Sequence, residues 1–140
     1  MRLAHWLPPV LWMTLILWLA GASFSAEATG AVLTPVLHRL MPWASAALVA
    51  TIHGGLRKLA HLTLYAVLAL LWYRAFAKGR GLPAAKAVAL AFAIAAAWAG
   101  VDESRQAATP SRSGSVVDIA IDWAGAAIAL VTRRGRGSLV

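Results

Sequence analysis

The sequence predicts an all-α polytopic membrane protein: four transmembrane helices in a small bundle, with an outer interfacial segment. Three observations carry this. The chain is 61% hydrophobic, with a mean hydropathy of +0.71. Only 13% of its residues are charged, about half the share usual in soluble proteins. Four of its five carboxylates crowd between Asp102 and Asp122, at the junction of two apolar runs. At 140 residues the chain is one domain, with no room for a second core.

A bilayer core requires about 20 apolar residues of helix, with slack for tilt and snorkelling. Four stretches qualify. The first covers about 6–24 and carries no charge. Arg2, this apolar run and Ala20-Gly21-Ala22 also fit the outline of a secretory signal peptide. The length of the run and its start at Pro8-Pro9 favour a retained span. The connection 25–55 contains Leu33, Val36, Leu37 and Leu40, but also Pro35, Pro42, His38 and Arg39. That mixture suits a helix lying on the outer leaflet better than another full span. The second span covers about 56–76, bounded by Arg57, Lys58 and Arg74. The alanine-rich third covers about 82–101. The fourth covers about 116–132 and ends at Arg133, Arg134 and Arg136.

Lysine and arginine in short loops set orientation. Arg2, Arg74, Lys78, Arg80, Lys86, Arg133, Arg134 and Arg136 fall on one side; Arg39, Arg57, Lys58, Arg105 and Arg112 fall on the other. Eight against five places both termini in the cytoplasm and turns the acidic cluster outward. Because the basic residues flank apolar stretches and form no single patch, the net charge of +8 does not imply nucleic acid. With no cysteine there are no disulfides and no thiolate metal site. The four histidines form no HxxxH pair, so structural zinc is not expected, nor is any other cofactor.

Ionisable groups within or beside membrane helices are costly and therefore functional candidates. Arg57, His61 and Tyr65 follow an i, i+4, i+8 pattern and share one helix face, with Lys58 adjacent. Asp102 and Glu103 end the third span, followed one turn later by Gln106. Cations at a helix N-terminus and carboxylates at a C-terminus both oppose the helix dipole, so the two sets are expected to neutralise each other. The turn Thr109–Ser115 contains helix breakers Pro110 and Gly114, and Arg112, which could reach the carboxylates. Ser115-Val-Val-Asp118 matches a capping box. Asp118, Asp122 and Gly125 share a face of the fourth span, with Asp122 about 6 Å deeper than Asp118. An unpaired charge at that depth is expensive, so Asp122 should be hydrogen-bonded, paired or protonated.

The combination Arg57-Lys58-x-x-His61-x-x-x-Tyr65, Asp102-Glu103-x-x-Gln106, and Pro110-x-Arg112-x-x-Ser115-x-x-Asp118, followed by Gly125, resembles the VanZ-like membrane protein family. The resemblance covers the chain from the second span to the fourth. It implies a bacterial inner-membrane protein of four helices with polar residues gathered at one membrane face. It also implies a link to low-level resistance to the glycopeptide teicoplanin. The sequence departs at Asp122, where the family more often has asparagine, and at Pro110-Ser111, which replaces the commoner Pro-Gly.

Two functional classes follow. In one, Arg57, Lys58, His61, Tyr65, Asp102, Glu103, Gln106, Arg112, Ser115 and Asp118 line a pocket for an anionic envelope lipid or cell-wall precursor. Outward helix N-termini would then assist the cations. In the other, the chain is an enzyme acting on a lipid headgroup, with His61, Glu103 and Asp118 as acid–base candidates. Ser111-Arg112 is not followed by the histidine that a PAP2-type lipid phosphatase requires, and GxSxG, HExxH and Walker patterns are missing. A small structural subunit is the third reading, in which His61 merely knits helices and Asp118 merely caps one.

Overall fold

In a computed structural model of the chain, the described residues are 3–110 and 114–136, the side chains of 134–136 excepted. Most of them are helical, and no strand occurs among them. Five α-helices follow in order: α1 Leu7–Leu19, α2 Ala26–Leu40, α3 Ala46–Arg74, α4 Ala84–Ala107 and α5 Val116–Arg136.

The first expected span is shorter than its apolar run. α1 stops at Leu19, and the chain turns at Gly21, whose ψ of 168° is extended. Ser25 then opens α2 by accepting the amide of Ala28 at 3.1 Å. The two helices are bent by 78° at this elbow. With 13 residues, α1 reaches about 20 Å, less than a hydrocarbon core. The second expected span is longer than read from sequence. α3 begins at Ala46, capped by Ser45, runs through Gly54-Gly55 and widens into a π turn over Ala75–Gly79. Gly54 and Gly55 set no boundary because a helix tolerates glycine at a cost of only about 1 kcal/mol each. The segment 25–55 thus holds α2 and the first turns of α3. Gly81, at φ +68°, takes the left-handed conformation that lets the chain reverse into α4.

The helices Ala46–Gly79 and Ala84–Ala107 are each long and apolar enough to cross a membrane, and α1 with α2 makes a third candidate if the bent pair is one span. α5 carries Asp118 and Asp122 near its start and Arg133, Arg134 and Arg136 at its end, leaving a short uncharged stretch between them. Even so, α5 is the most thoroughly packed partner of α3, and α4 lies against both. The core they share contains Tyr65, Leu68 and Ala69 from α3, Ala91, Ala95 and Ala99 from α4, and Ala126 and Leu130 from α5. Ile16 of α1 closes it. Small residues allow this closeness, as they do between membrane helices generally. A Cβ on Gly125 would collide with the backbone carbonyl of Leu62, so α3 and α5 touch backbone to backbone there.

Away from the carboxylates the bundle is closed by aromatics. Trp6 packs edge-on against Trp72 and Phe76, at centroid distances of 6.0 and 5.6 Å. Trp12 donates its indole N–H to the carbonyl of Leu64 at 2.9 Å, fixing α1 on α3.

Candidate functional site

Each core helix has a buried seam that runs into an ionisable residue. On α4 the seam is Ala87, Ala91, Ala95 and Ala99, fully buried at i+4 intervals, and its next member is Glu103. Asp102 and Gln106 flank that position and are buried with it. On α5, Leu130 and Ala126 lead back at the same spacing to Asp122, which is 0% exposed. On α3, Ala69 and Tyr65 lead back to His61, which is half-buried. The 3.6-residue repeat that builds the apolar core therefore also delivers these groups to one end of it.

There they meet. Nδ1 of His61 lies 3.1 Å from Oδ1 of Asp122, the one salt-bridge contact among the described residues. The expectation for Asp122 holds: its carboxylate is hydrogen-bonded. The Tyr65 hydroxyl donates a long bond of 3.4 Å to Oδ2 of Asp102. Glu103 accepts the amide of Ser115 at 2.6 Å through Oε2. Ser115 in turn caps α5, its hydroxyl accepting the amide of Asp118 at 3.3 Å. The expected capping box is thus only half local to α5: Ser115 performs the cap, but the acid that returns to its amide is Glu103 of α4. Asp118 is left half-buried at the rim.

One ligand atom each from His61, Asp102, Glu103 and Asp122 can be chosen so that all four lie within 4.8 Å of one another. Oδ1 of Asp102, Oε1 of Glu103 and Oδ2 of Asp122 are buried without a hydrogen-bond partner. An imidazole and three carboxylates at this separation form a donor set that fits a divalent cation. The histidine spacing in the sequence offered no sign of it, because the donors come from three helices up to 61 residues apart.

The cations are arranged differently from the expectation. Arg57 turns toward the α1–α2 elbow and α2, donating from Nη1 to the carbonyl of Phe24 at 3.0 Å and to Oγ1 of Thr29 at 3.4 Å. Oγ1 of Thr29 also contacts Nε2 of His53 at 3.1 Å. These bonds form a polar clasp between α2 and α3. Lys58 is exposed. The opposition of charges is relieved otherwise, by His61 for Asp122 and by the α5 N-terminus for Glu103. Arg112 lies outside the described residues. Sequence reasoning gave Asp122 no place among the ligand-binding residues and passed over Thr29 and His53. The i, i+4 relation to Asp118 was the available signal for Asp122; nothing local marked the other two.

A cavity of about 250 Å³ opens beside the cluster, between α1, α2, α3 and the C-terminal turns of α4. Ile16, Leu19, Phe24, Leu33, Leu56 and Leu64 give it apolar walls, while Arg57, His61, Asp102 and Gln106 give it a polar end. It thus has two chemically distinct parts, one suited to hydrocarbon and one to hydrogen bonding.

No curated protein and no solved structure matches the chain. A sequence model of the VanZ/LLP1 family matches residues 6–134, nearly its whole length and all of the helices that build the cluster. The chain belongs to the VanZ/LLP1 family.

Proposed function

We propose that the protein is a four-span protein of the bacterial inner membrane, with both termini cytoplasmic, and that it binds an anionic envelope lipid or cell-wall precursor in the cavity beside His61. The observation that carries this reading is the two-part lining of that cavity. An acyl or polyprenyl segment would lie along Ile16, Leu19, Leu33 and Leu64. A headgroup would meet Arg57, His61 and Gln106. Only Nη1 of Arg57 makes its bonds to α2, and a guanidinium has five N–H donors, so it can still receive an anionic oxygen. By family resemblance, teicoplanin sensitivity is the cellular readout.

Native mass spectrometry of the detergent-purified protein tests it. A phosphorylated lipid should stay bound to the wild type and be lost from Ala20→Phe, which fills the cavity from the buried end of α1. In cells, Asp102→Asn should abolish the effect on teicoplanin sensitivity while the protein remains in the membrane. Retention of the same lipid by Ala20→Phe would count against the cavity as its seat.

One observation favours a second reading, in which the headgroup is also processed. His61 is oriented by Asp122 through Nδ1 and faces the cavity, the arrangement of a general base with its orienting carboxylate. His61→Ala separates the two. A base lost from an enzyme lowers its rate by about 10²–10⁴-fold, whereas a binding module keeps most of its affinity.

A further inference from the structure

We propose that His61, Asp102, Glu103 and Asp122 bind one divalent transition-metal ion at the polar end of the cavity. The site stands apart from the lipid reading, since it rests on the four side chains alone. Donors about 2.1 Å from a metal are separated by at most about 4.2 Å, so a set already within 4.8 Å needs only small side-chain rotations to close on an ion. The second observation is the state of the carboxylates. Asp102, Glu103 and Asp122 are 3%, 4% and 0% exposed, and each has one buried oxygen with no hydrogen-bond partner. Buried acceptors are seldom left so, and three in one place point to something that they share. No lysine or arginine among the described residues forms an ion pair with them; Arg57 is engaged with α2. An ion of charge +2 would satisfy all three oxygens and offset the excess negative charge together.

The donor set selects the ion. An imidazole nitrogen among carboxylate oxygens suits Mn²⁺, Fe²⁺ or Zn²⁺ better than Ca²⁺ or Mg²⁺, which take oxygen donors in larger number or keep several waters. Outer contacts that orient metal ligands are also present: Ser115 N–H holds Glu103 Oε2, and the Tyr65 hydroxyl meets Asp102 Oδ2. His61 and Asp102 belong both to the ligand set and to the cavity lining. A vacant coordination position would therefore face the cavity, where a phosphate oxygen could enter.

The test uses full-length protein without a polyhistidine tag, stripped with chelator and dialysed against micromolar Mn²⁺ or Zn²⁺ in detergent, with no lipid added. Elemental analysis should find one ion per chain, and Asp122→Asn and Glu103→Gln should each weaken binding at least tenfold. Much less than one ion per chain in the wild type, or unchanged affinity in both variants, would overturn the site. Should the variants fail to fold, electron spin-echo spectroscopy of bound Mn²⁺ decides in a chain with His5, His38 and His53 replaced by Gln. Nitrogen modulation from the remaining imidazole supports the assignment, and its absence refutes it. A wild type that takes up the ion but retains no lipid would sustain this site and sink the lipid reading; the reverse would do the opposite.

Discussion

Glu103 shows how one side chain can serve two ends of the bundle. It closes the alanine seam of α4, and its Oε2 holds the amide of Ser115, the residue that caps α5. A carboxylate accepting from a helix N-terminus is a charge-assisted bond worth about 1.5–3 kcal/mol. Glu103→Ala should therefore lower the thermal midpoint of the purified protein by several degrees, and Glu103→Gln, which keeps an acceptor, should lose clearly less. Equal losses in both variants would mean that the amide of Ser115 does not depend on Glu103. At this scale the sequence was readable where chemistry is local: the Ser115 cap, the depth of Asp122 and the facing of His61 with Tyr65 follow from spacing. It was unreadable where a partner comes from another helix. Glu103 to Ser115, Arg57 to Phe24 and His53 to Thr29 are tertiary choices, and dipole reasoning alone sent Arg57 to carboxylates when its partners are a carbonyl and a hydroxyl.

Among elements, α3 and α5 form the closest pair, and Gly125 is the reason. Any larger residue meets the Leu62 carbonyl, which cannot rotate away as a side chain could. Gly125→Ala should cost about 3 kcal/mol, the upper range for overpacking, and should lower thermal stability in detergent accordingly. A variant as stable as the wild type would show that the two helices can separate without loss. That Gly125 lies on the Asp118–Asp122 face was legible from spacing, whereas its contact with Leu62 came only from the structure. The boundaries of the helices were less so. Apolar composition continues through Gly21, where backbone conformation ends α1, and the glycine pair at 54–55 resembles a break yet lies inside α3. Hydropathy measures what can enter lipid, whereas helix ends are fixed by caps and turns.

For the whole molecule, the count of positive residues predicts how the bundle sits in the membrane. Reporter fusions after Lys78 and after Val140 should read cytoplasmic, and one placed in the 109–115 turn should read external. An external signal after Lys78 would invert the orientation and turn the cavity toward the cytoplasm. The contact of Gly125 with Leu62 bears on this larger frame as a joint without clearance. Leu62 follows His61 directly, and Gly125 lies just under one turn beyond Asp122, so the helices that carry this pair behave as a single stiff lever. α1 and α2 are attached to α3 far less extensively, and the elbow between them has no such lock. On the lipid reading, a guest would enter from this less extensively packed side, leaving the His61–Asp122 spacing as the α3–α5 contact sets it.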